Sequence, residues 1–316
     1  MQERDESIVK PSYPVWALVF MTVLTQISLG GFFILLLGDA MSILGYESAN
    51  WMIALLVMLP AGFGLPLSVF YLRSSYFTPT AMKQLQTSWL SREALALGVF
   101  FLLMNAVVIL HFFEAHIVLR ICTEATTLAI GIYGIYAQVM IYRVKTCPAW
   151  DREITNIKFF GVTYIGSFLV ALLAVIFSMN DIAIPLLVLG ILGALAQTFF
   201  SLEDLMLIVE SEEENGFQLK RAKKLYAKIF HKLKSFRLVS IILGGVVLPL
   251  LVIFLLSIEA IAGASIILFI ALILVFSSEL SDRYLFFTTA TSLGITDGFI
   301  IGNSKDILRV SFSKDR

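Results

Sequence analysis

The sequence predicts an all-α polytopic membrane helix bundle with eight transmembrane helices. Hydrophobic residues make up 59% of the chain and charged residues only 15%, whereas soluble domains are about 45–50% apolar and about 25% charged. A soluble chain of 316 residues needs a polar surface that this composition cannot supply. The apolar residues also form runs of about 20, the length that an α-helix needs to cross a hydrocarbon layer of about 30 Å.

Eight runs have the length and composition of a span. The segment 284–302 that follows them is apolar but carries Asp297 and several threonines and serines, so we predict a membrane-associated end there and not a ninth span. The chain is thus divided into a tail (1–14), six helices (15–200), a loop (201–237), two helices with the membrane-associated end (238–302) and a second tail (303–316). The predicted spans are 15–37, 51–71, 93–113, 119–142, 158–179, 182–200, 238–257 and 261–280.

The basic residues predict the orientation of the bundle. With eight spans, both termini and the loops after the second, fourth and sixth spans share one side. Every lysine and arginine except Arg120 lies on that side. Because basic residues concentrate in cytoplasmic loops, we predict that both termini are cytoplasmic. The polar, acidic N-terminus lacks the features of a cleaved signal peptide, so the first span is expected to be retained.

The loop 201–237 has an amphipathic pattern. Its apolar residues recur at three- and four-residue steps between lysines, which predicts a basic amphipathic helix. Such a helix suits the anionic lipids of the inner leaflet or a docking partner, and the pattern allows both interpretations. The apolar positions are Leu219, Ala222, Tyr226, Ile229, Phe230, Leu233 and Phe236.

The residue inventory excludes several kinds of cofactor site. Cys122 and Cys147 stand alone, so the chain by itself can form neither a cysteine-ligated iron–sulfur cluster nor a structural zinc site. His111, His116 and His231 provide no pair on facing spans for a bis-histidine haem. We therefore predict no metal site in this chain. The formal net charge of zero gives no indication of a nucleic-acid partner.

Glu93 is the strongest candidate for chemistry. Ionisable groups in or beside a span cost free energy and often mark function. Glu93 opens the third predicted span, where it is placed to accept a proton at the edge of a lipid-accessible pocket. The alternative is structural: a serine or the polar loop before this helix caps its N-terminus, and a carboxylate there interacts favourably with the helix dipole.

Two further polar groups lie at the end of the last span and after the fourth. Glu279 and Arg283 are one helical turn apart, so we expect an i, i+4 ion pair. Pro148 ends the fourth helix and Trp150 is expected at the membrane interface, which predicts an anchor turn.

Gln26 and a pair of glycines distinguish the first span. The amide of Gln26 is expected to hydrogen-bond a neighbouring helix, and Gly30 and Gly31 are expected to let another helix approach closely.

The chain resembles the membrane anchor subunits of dimethyl-sulfoxide-reductase-type molybdoenzymes and, more distantly, polysulfide-reductase-type anchors. Four short motifs carry the resemblance, and the one that opens the third helix is the most specific. They are Gln26 with Gly30-Gly31-Phe32, Ser88-Trp89-Leu90-Ser91-Arg92-Glu93, Tyr142 with Thr146, Pro148 and Trp150, and Glu279-Leu280-Ser281-Asp282-Arg283-Tyr284.

The resemblance implies a quinol-oxidising subunit of the bacterial inner membrane that serves anaerobic respiration. Such anchors take electrons from menaquinol and carry neither haem nor an iron–sulfur cluster. They pass the electrons to a subunit with four iron–sulfur clusters and from there to a molybdopterin catalytic subunit. Membrane lipids surround the bundle.

The family's motif residues carry over to a quinol site in this chain. Glu93 is expected to accept the proton, with Trp89 and Gln26 nearby and with Tyr71 and Arg92 orienting the head group. Relatives often have histidine where Tyr71 stands; a phenol donates a hydrogen bond but is no base near neutral pH. Pro148, Trp150, Glu279 and Arg283 are expected at the edge of the site.

Two other functions are compatible with the residues themselves. One is a transporter whose pocket uses the same carboxylate, and the other is a purely structural anchor. The terminal electron acceptor is not encoded here, because its reduction would take place in another subunit.

Overall fold

The computed structural model describes residues 16–42, 51–71, 85–144, 147, 150–210, 225 and 229–289. Every regular element in these ranges is helical, which confirms the all-α prediction. The helices are α1 (Trp16–Ser42), α2 (Trp51–Tyr71), α3 (Trp89–Phe112), α4 (Ile117–Tyr142), α5 (Glu153–Ile176), α6 (Asn180–Glu210), α7 (His231–Ser257) and α8 (Ile261–Thr289).

Two of these helices change their winding along the way. α5 passes through a 3₁₀ turn at Val162–Tyr164. α7 contains a π-helical turn at Leu243–Val247, where Gly244 and Gly245 are buried. A side chain at Gly244 would meet the backbone of Ala271 in α8, so the glycine lets α7 and α8 approach each other closely.

Seven of the helices in the described ranges are long and apolar enough to cross a membrane. The described part of α2, Trp51–Leu67, is apolar but shorter. Large apolar side chains such as Phe63, Leu102 and Phe199 remain more than three-fifths exposed, at 68%, 69% and 64%. In a bundle surrounded by lipid, large apolar side chains are expected on the outward-facing surface. The protein is therefore a multi-pass membrane protein.

Most of the helices extend beyond at least one of their predicted boundaries. α8 continues to Thr289, past its predicted end at residue 280. The polar turn that limited the prediction, Glu279–Arg283, is buried against other helices, so the helix continues without exposing charge to lipid. α6 extends to Glu210 and α7 begins at His231, so the connection between them is shorter than the predicted 201–237. Leu219, Ala222 and Tyr226 of the predicted amphipathic helix lie outside the described residues, whereas Leu233 and Phe236 lie in the first turns of α7.

α1 lies at the centre of the bundle and packs against α2, α4, α5 and α8. Its glycines allow this. A β-carbon on Gly30 would collide with the carbonyl of Thr163 in α5, and one on Gly166 would collide with the backbone of Gly30 and Gly31. Gly31 also faces the side chain of Val57 in α2. The expectation of close helix contact at the glycine pair is therefore correct.

Candidate functional site

Four buried polar side chains form a continuous chain of hydrogen bonds across α8, α1, α4 and α3. Arg283 Nη2 donates to Gln26 Oε1 at 2.9 Å. Gln26 Nε2 donates to Gln138 Oε1 at 3.1 Å. Gln138 Nε2 donates in turn to Glu93 Oε1 at 2.8 Å. The structure thus joins the predicted residues Gln26, Glu93 and Arg283. Gln138, which was not predicted, is the link between Gln26 and Glu93. We call these four residues the inner polar chain.

Burial makes these contacts obligatory. Arg283 is 1% exposed, Gln26 and Gln138 are fully buried, and Glu93 is 6% exposed. Unpaired polar groups away from water are costly, and charged ones more so. The two amides solve this by each accepting one hydrogen bond and donating another, so the guanidinium at one end is connected to the carboxylate at the other.

Glu93 keeps part of its carboxylate open. Ser88 Oγ accepts a hydrogen bond from Ser91 N at 3.4 Å, which confirms the predicted cap of α3. Glu93 lies beyond the capped turn, and its carboxylate bonds Gln138 of the neighbouring helix, not the helix's own amides. Among the described residues, Oε2 of Glu93 has no hydrogen-bonding partner. This oxygen is a free hydrogen-bonding position of the inner polar chain.

An aromatic cluster surrounds the Arg283 end. The guanidinium carbon lies 3.7 Å from the ring centre of Phe159. The Tyr142 ring packs edge-on against Trp150 and Phe286. Trp150 stacks on Phe286 and donates from Nε1 to its carbonyl oxygen at 2.9 Å. Trp150 therefore fastens the turn after α4 to α8, and its predicted position at the membrane interface stays a prediction.

Glu279 does not form the expected ion pair with Arg283. Its carboxylate accepts hydrogen bonds from Tyr164 Oη at 3.2 Å and from Gln197 Nε2 at 3.4 Å, while Arg283 bonds Gln26. A residue one turn away on the same helix competes with partners on other helices. Here both Glu279 and Arg283 bond partners on other helices.

The carboxylate of Asp282 pairs with two basic side chains, those of Arg237 and Lys158. Its Oδ1 lies 2.9 Å from Arg237 Nη1 and 3.7 Å from Lys158 Nζ. All three residues are buried. The charged turn of α8 is thereby neutralised by α5 and α7, whose basic residues were predicted to lie on the same membrane side.

Arg92 and Trp89 lie beside the inner polar chain but are not part of it. Arg92 donates to the carbonyl oxygens of Leu85 at 2.7 Å and Gln86 at 2.6 Å, and its guanidinium carbon lies 4.3 Å from the Trp89 ring centre. Trp89 in turn packs edge-on against Tyr136. These contacts hold the residues before α3 against its first turn.

Two predicted site residues are not described. The side chain of Tyr71, the last residue of α2, and the whole of Pro148 lie outside the described part of the chain. Gln138 was missed, although one signal for it exists: it is an amide in the apolar second half of α4, as Gln26 is in α1. An amide inside a span requires a partner, and two such amides suit each other.

An apolar cavity of about 680 Å³ lies between α1, α4, α5 and α6. Leu29 and Gly30 line it, one turn along α1 from Gln26. Its polar lining includes Tyr164 and Gln197, which both bond Glu279. A space of this size and polarity suits a lipid or isoprenoid chain.

Comparison with known proteins identifies the family. The family model described as DMSO reductase anchor subunit (DmsC) matches residues 10–289. The chain belongs to this family. No curated protein matches it significantly. The protein is therefore a membrane anchor subunit of the DMSO reductase type, as the four motifs predicted. In this DmsC-family subunit, three of those motifs supply members of the inner polar chain: Gln26, Glu93 and Arg283.

Proposed function

We propose that this anchor subunit binds menaquinol at Glu93 and oxidises it for anaerobic respiration in the bacterial inner membrane. The electrons pass to an iron–sulfur subunit with four clusters and then to a molybdopterin catalytic subunit. The observation that carries the proposal is the inner polar chain, which holds a buried carboxylate by one oxygen and leaves the other open. Both termini are cytoplasmic in this proposal.

The chemistry requires a proton acceptor at the quinol hydroxyl. Oxidation of menaquinol to menaquinone releases two electrons and two protons. Glu93 Oε2 accepts the first hydroxyl proton, releases it to water at the membrane surface and then accepts the second. The two electrons leave singly for the nearest cluster of the iron–sulfur subunit. A positioned carboxylate acting as a base accelerates such transfers by about 10²–10⁴-fold.

The other residues hold this base and its substrate. Gln138 donates to Oε1 of Glu93 and so fixes the direction of the open oxygen. Arg283 bonds Gln26, which in turn bonds Gln138, so the inner polar chain holds the amide of Gln138 in place. The isoprenoid tail of the quinol occupies the apolar cavity beside Gly30. Tyr71, Trp89 and Arg92 remain the proposed contacts of the head group.

Purification of the complex tests the proposal. A tag on this chain is expected to co-purify an iron–sulfur subunit and a molybdopterin subunit. Adding a short-chain menaquinol analogue to the oxidised complex should then reduce the clusters, as followed by electron paramagnetic resonance. This readout does not depend on the terminal acceptor. Isolation of the chain alone, or clusters that stay oxidised with menaquinol but are reduced by dithionite, would contradict the proposal and favour a transporter or a structural anchor respectively.

Gln138→Leu should slow menaquinol oxidation by about tenfold. The leucine removes the donor to Glu93 and interrupts the connection to Gln26, and a lost hydrogen bond to a charged group is worth about 1.5–3 kcal/mol. The measurement is the rate of cluster reduction by the menaquinol analogue.

The matched control for Gln138→Leu is Asn105→Leu. Asn105 is also an amide within a span, but it donates to the carbonyl oxygen of Phe101 in its own helix. We expect its replacement to leave the rate unchanged. Equal rates in both variants would show that the inner polar chain does not support the base.

A further inference from the structure

A second buried polar cluster lies at the opposite end of the same helices. Asp39 is near the end of α1, His111 near the end of α3, and Arg120 and Glu124 near the start of α4. His111 Nε2 lies 2.6 Å from Glu124 Oε1 and 3.5 Å from Asp39 Oδ2. Arg120 Nε lies 3.1 Å from Asp39 Oδ2. We call these four residues the outer polar cluster.

The two polar groups lie about 20–27 Å apart along the helices that carry both. His111 follows Glu93 by 18 residues on α3, which corresponds to about 27 Å at the rise of an α-helix. Three helices each contribute one residue to both groups: Gln26 and Asp39 on α1, Glu93 and His111 on α3, and Gln138 and Glu124 on α4. The outer polar cluster is thus distinct from the proposed quinol site.

The donor set is that of a divalent metal site. One ligand atom each from Asp39, His111 and Glu124 lie within 4.8 Å of one another, and all three residues are buried. Imidazole nitrogen with carboxylate oxygen is a set that binds zinc and related divalent ions. Metal ligation through histidine and carboxylates was not predicted from the sequence, because the three residues are dispersed over 86 positions, from 39 to 124.

Hydrogen bonding leaves room for a cation in this cluster. Glu124 contacts His111 through Oε1, whereas its Oε2 is buried and has no hydrogen-bonding partner among the described residues. A buried carboxylate oxygen without a partner is costly. A metal ion held between the three side chains would engage it.

We propose that Asp39, His111 and Glu124 bind one divalent transition-metal ion, for which zinc is the probe. Arg120 orients the Asp39 carboxylate through its two nitrogen–oxygen contacts of 3.1 and 3.4 Å. Three protein ligands leave a fourth position for water. The ion fastens the ends of α1, α3 and α4 to one another. This assignment does not depend on the proposed quinol chemistry.

Zinc binding by the full-length chain in detergent tests the assignment. After treatment with a chelator, titration with zinc chloride is expected to show one site per chain and to raise the melting temperature. Glu124→Gln and His111→Gln should each weaken binding by about 100-fold or more, because even the outer partners of metal ligands contribute about 10–100-fold. Two variants are used so that the test stands if one of them fails to fold.

The matched control is His116→Gln. His116 lies at the same end of the bundle but is exposed and accepts from the backbone nitrogen of Val118. This variant should bind zinc like the unaltered chain. The assignment is overturned if the unaltered chain binds no zinc, or if folded Glu124→Gln protein binds it equally well. The cluster would then be a hydrogen-bonded link between helices and nothing more.

Discussion

Replacing Glu93 with glutamine is expected to lower menaquinol oxidation by at least about 100-fold, the smaller end of the contribution of a positioned base. Glutamine has the same shape and still accepts from Gln138 through its amide oxygen, but its amide nitrogen cannot take up a proton at the position of Oε2. The variant complex should therefore assemble in normal amounts. The measurement is cluster reduction by the menaquinol analogue in purified complex.

An artificial donor separates loss of quinol chemistry from loss of the complex. Reduced viologen delivers electrons directly to soluble redox subunits, so its oxidation by the Glu93→Gln complex should equal that of the unaltered complex. Glu114→Gln provides the control substitution, since Glu114 is exposed at the opposite end of α3. Normal menaquinol turnover in the Glu93→Gln complex would remove Glu93 from the mechanism.

Replacing Gly30 with valine is expected to abolish accumulation of the chain in membranes. The added β-carbon would overlap the backbone carbonyl of Thr163, which cannot rotate away as a side chain can. α1 would have to separate from α5, and overpacking of this kind costs about 3 kcal/mol or more. Because α1 is central, the contacts of Gln26 would be lost with it. Immunoblotting of membrane fractions measures the amount of chain.

The control for Gly30→Val is the same substitution at Gly98. A side chain there meets nothing within 4 Å, so Gly98→Val should accumulate normally. Comparable loss of both variants would indicate a general intolerance of β-branched residues in these helices and not a specific contact between α1 and α5.

The sequence predicts the helices well because the lipid that surrounds them permits few other structures. Backbone groups in hydrocarbon must be paired within the helix, so runs of about 20 apolar residues leave little choice of structure. The same argument identifies Gln26, Glu93 and Arg283, since polar groups in a span are costly enough to require a reason. The predicted cytoplasmic termini follow from charge sorting and stay a prediction.

The pairing of those residues is not predictable from one sequence. Arg283 and Gln26 are 257 positions apart, and Gln26 and Gln138 are 112 apart. Such contacts depend on which helix faces come together, and that is decided by packing over the whole bundle. The expected pair of Glu279 with Arg283 was wrong for this reason: local spacing allowed it, but partners on other helices are better placed.

Arg120 illustrates how burial changes the meaning of a charge. By sequence it is the one basic residue on the non-cytoplasmic side. In the structure it is 7% exposed and contacts Asp39. A charge that is paired inside the bundle contributes little to orienting a protein in its membrane, so the exception does not weaken the predicted topology.

The length of α8 determines how deep in the bilayer its polar turn, Glu279–Arg283, lies. Its 29 residues extend about 43 Å, whereas the hydrocarbon layer is about 30 Å thick. Glu279 lies about 27 Å along the helix from Ile261, so, with Ile261 at one edge of the hydrocarbon layer, the turn carrying Arg283 lies close to the other edge. In the proposed function, a quinol that diffuses within the bilayer reaches the inner polar chain at Glu93 without entering water. Its search for the protein is then two-dimensional, and its electrons leave at this end of the bundle for a subunit docked at the surface.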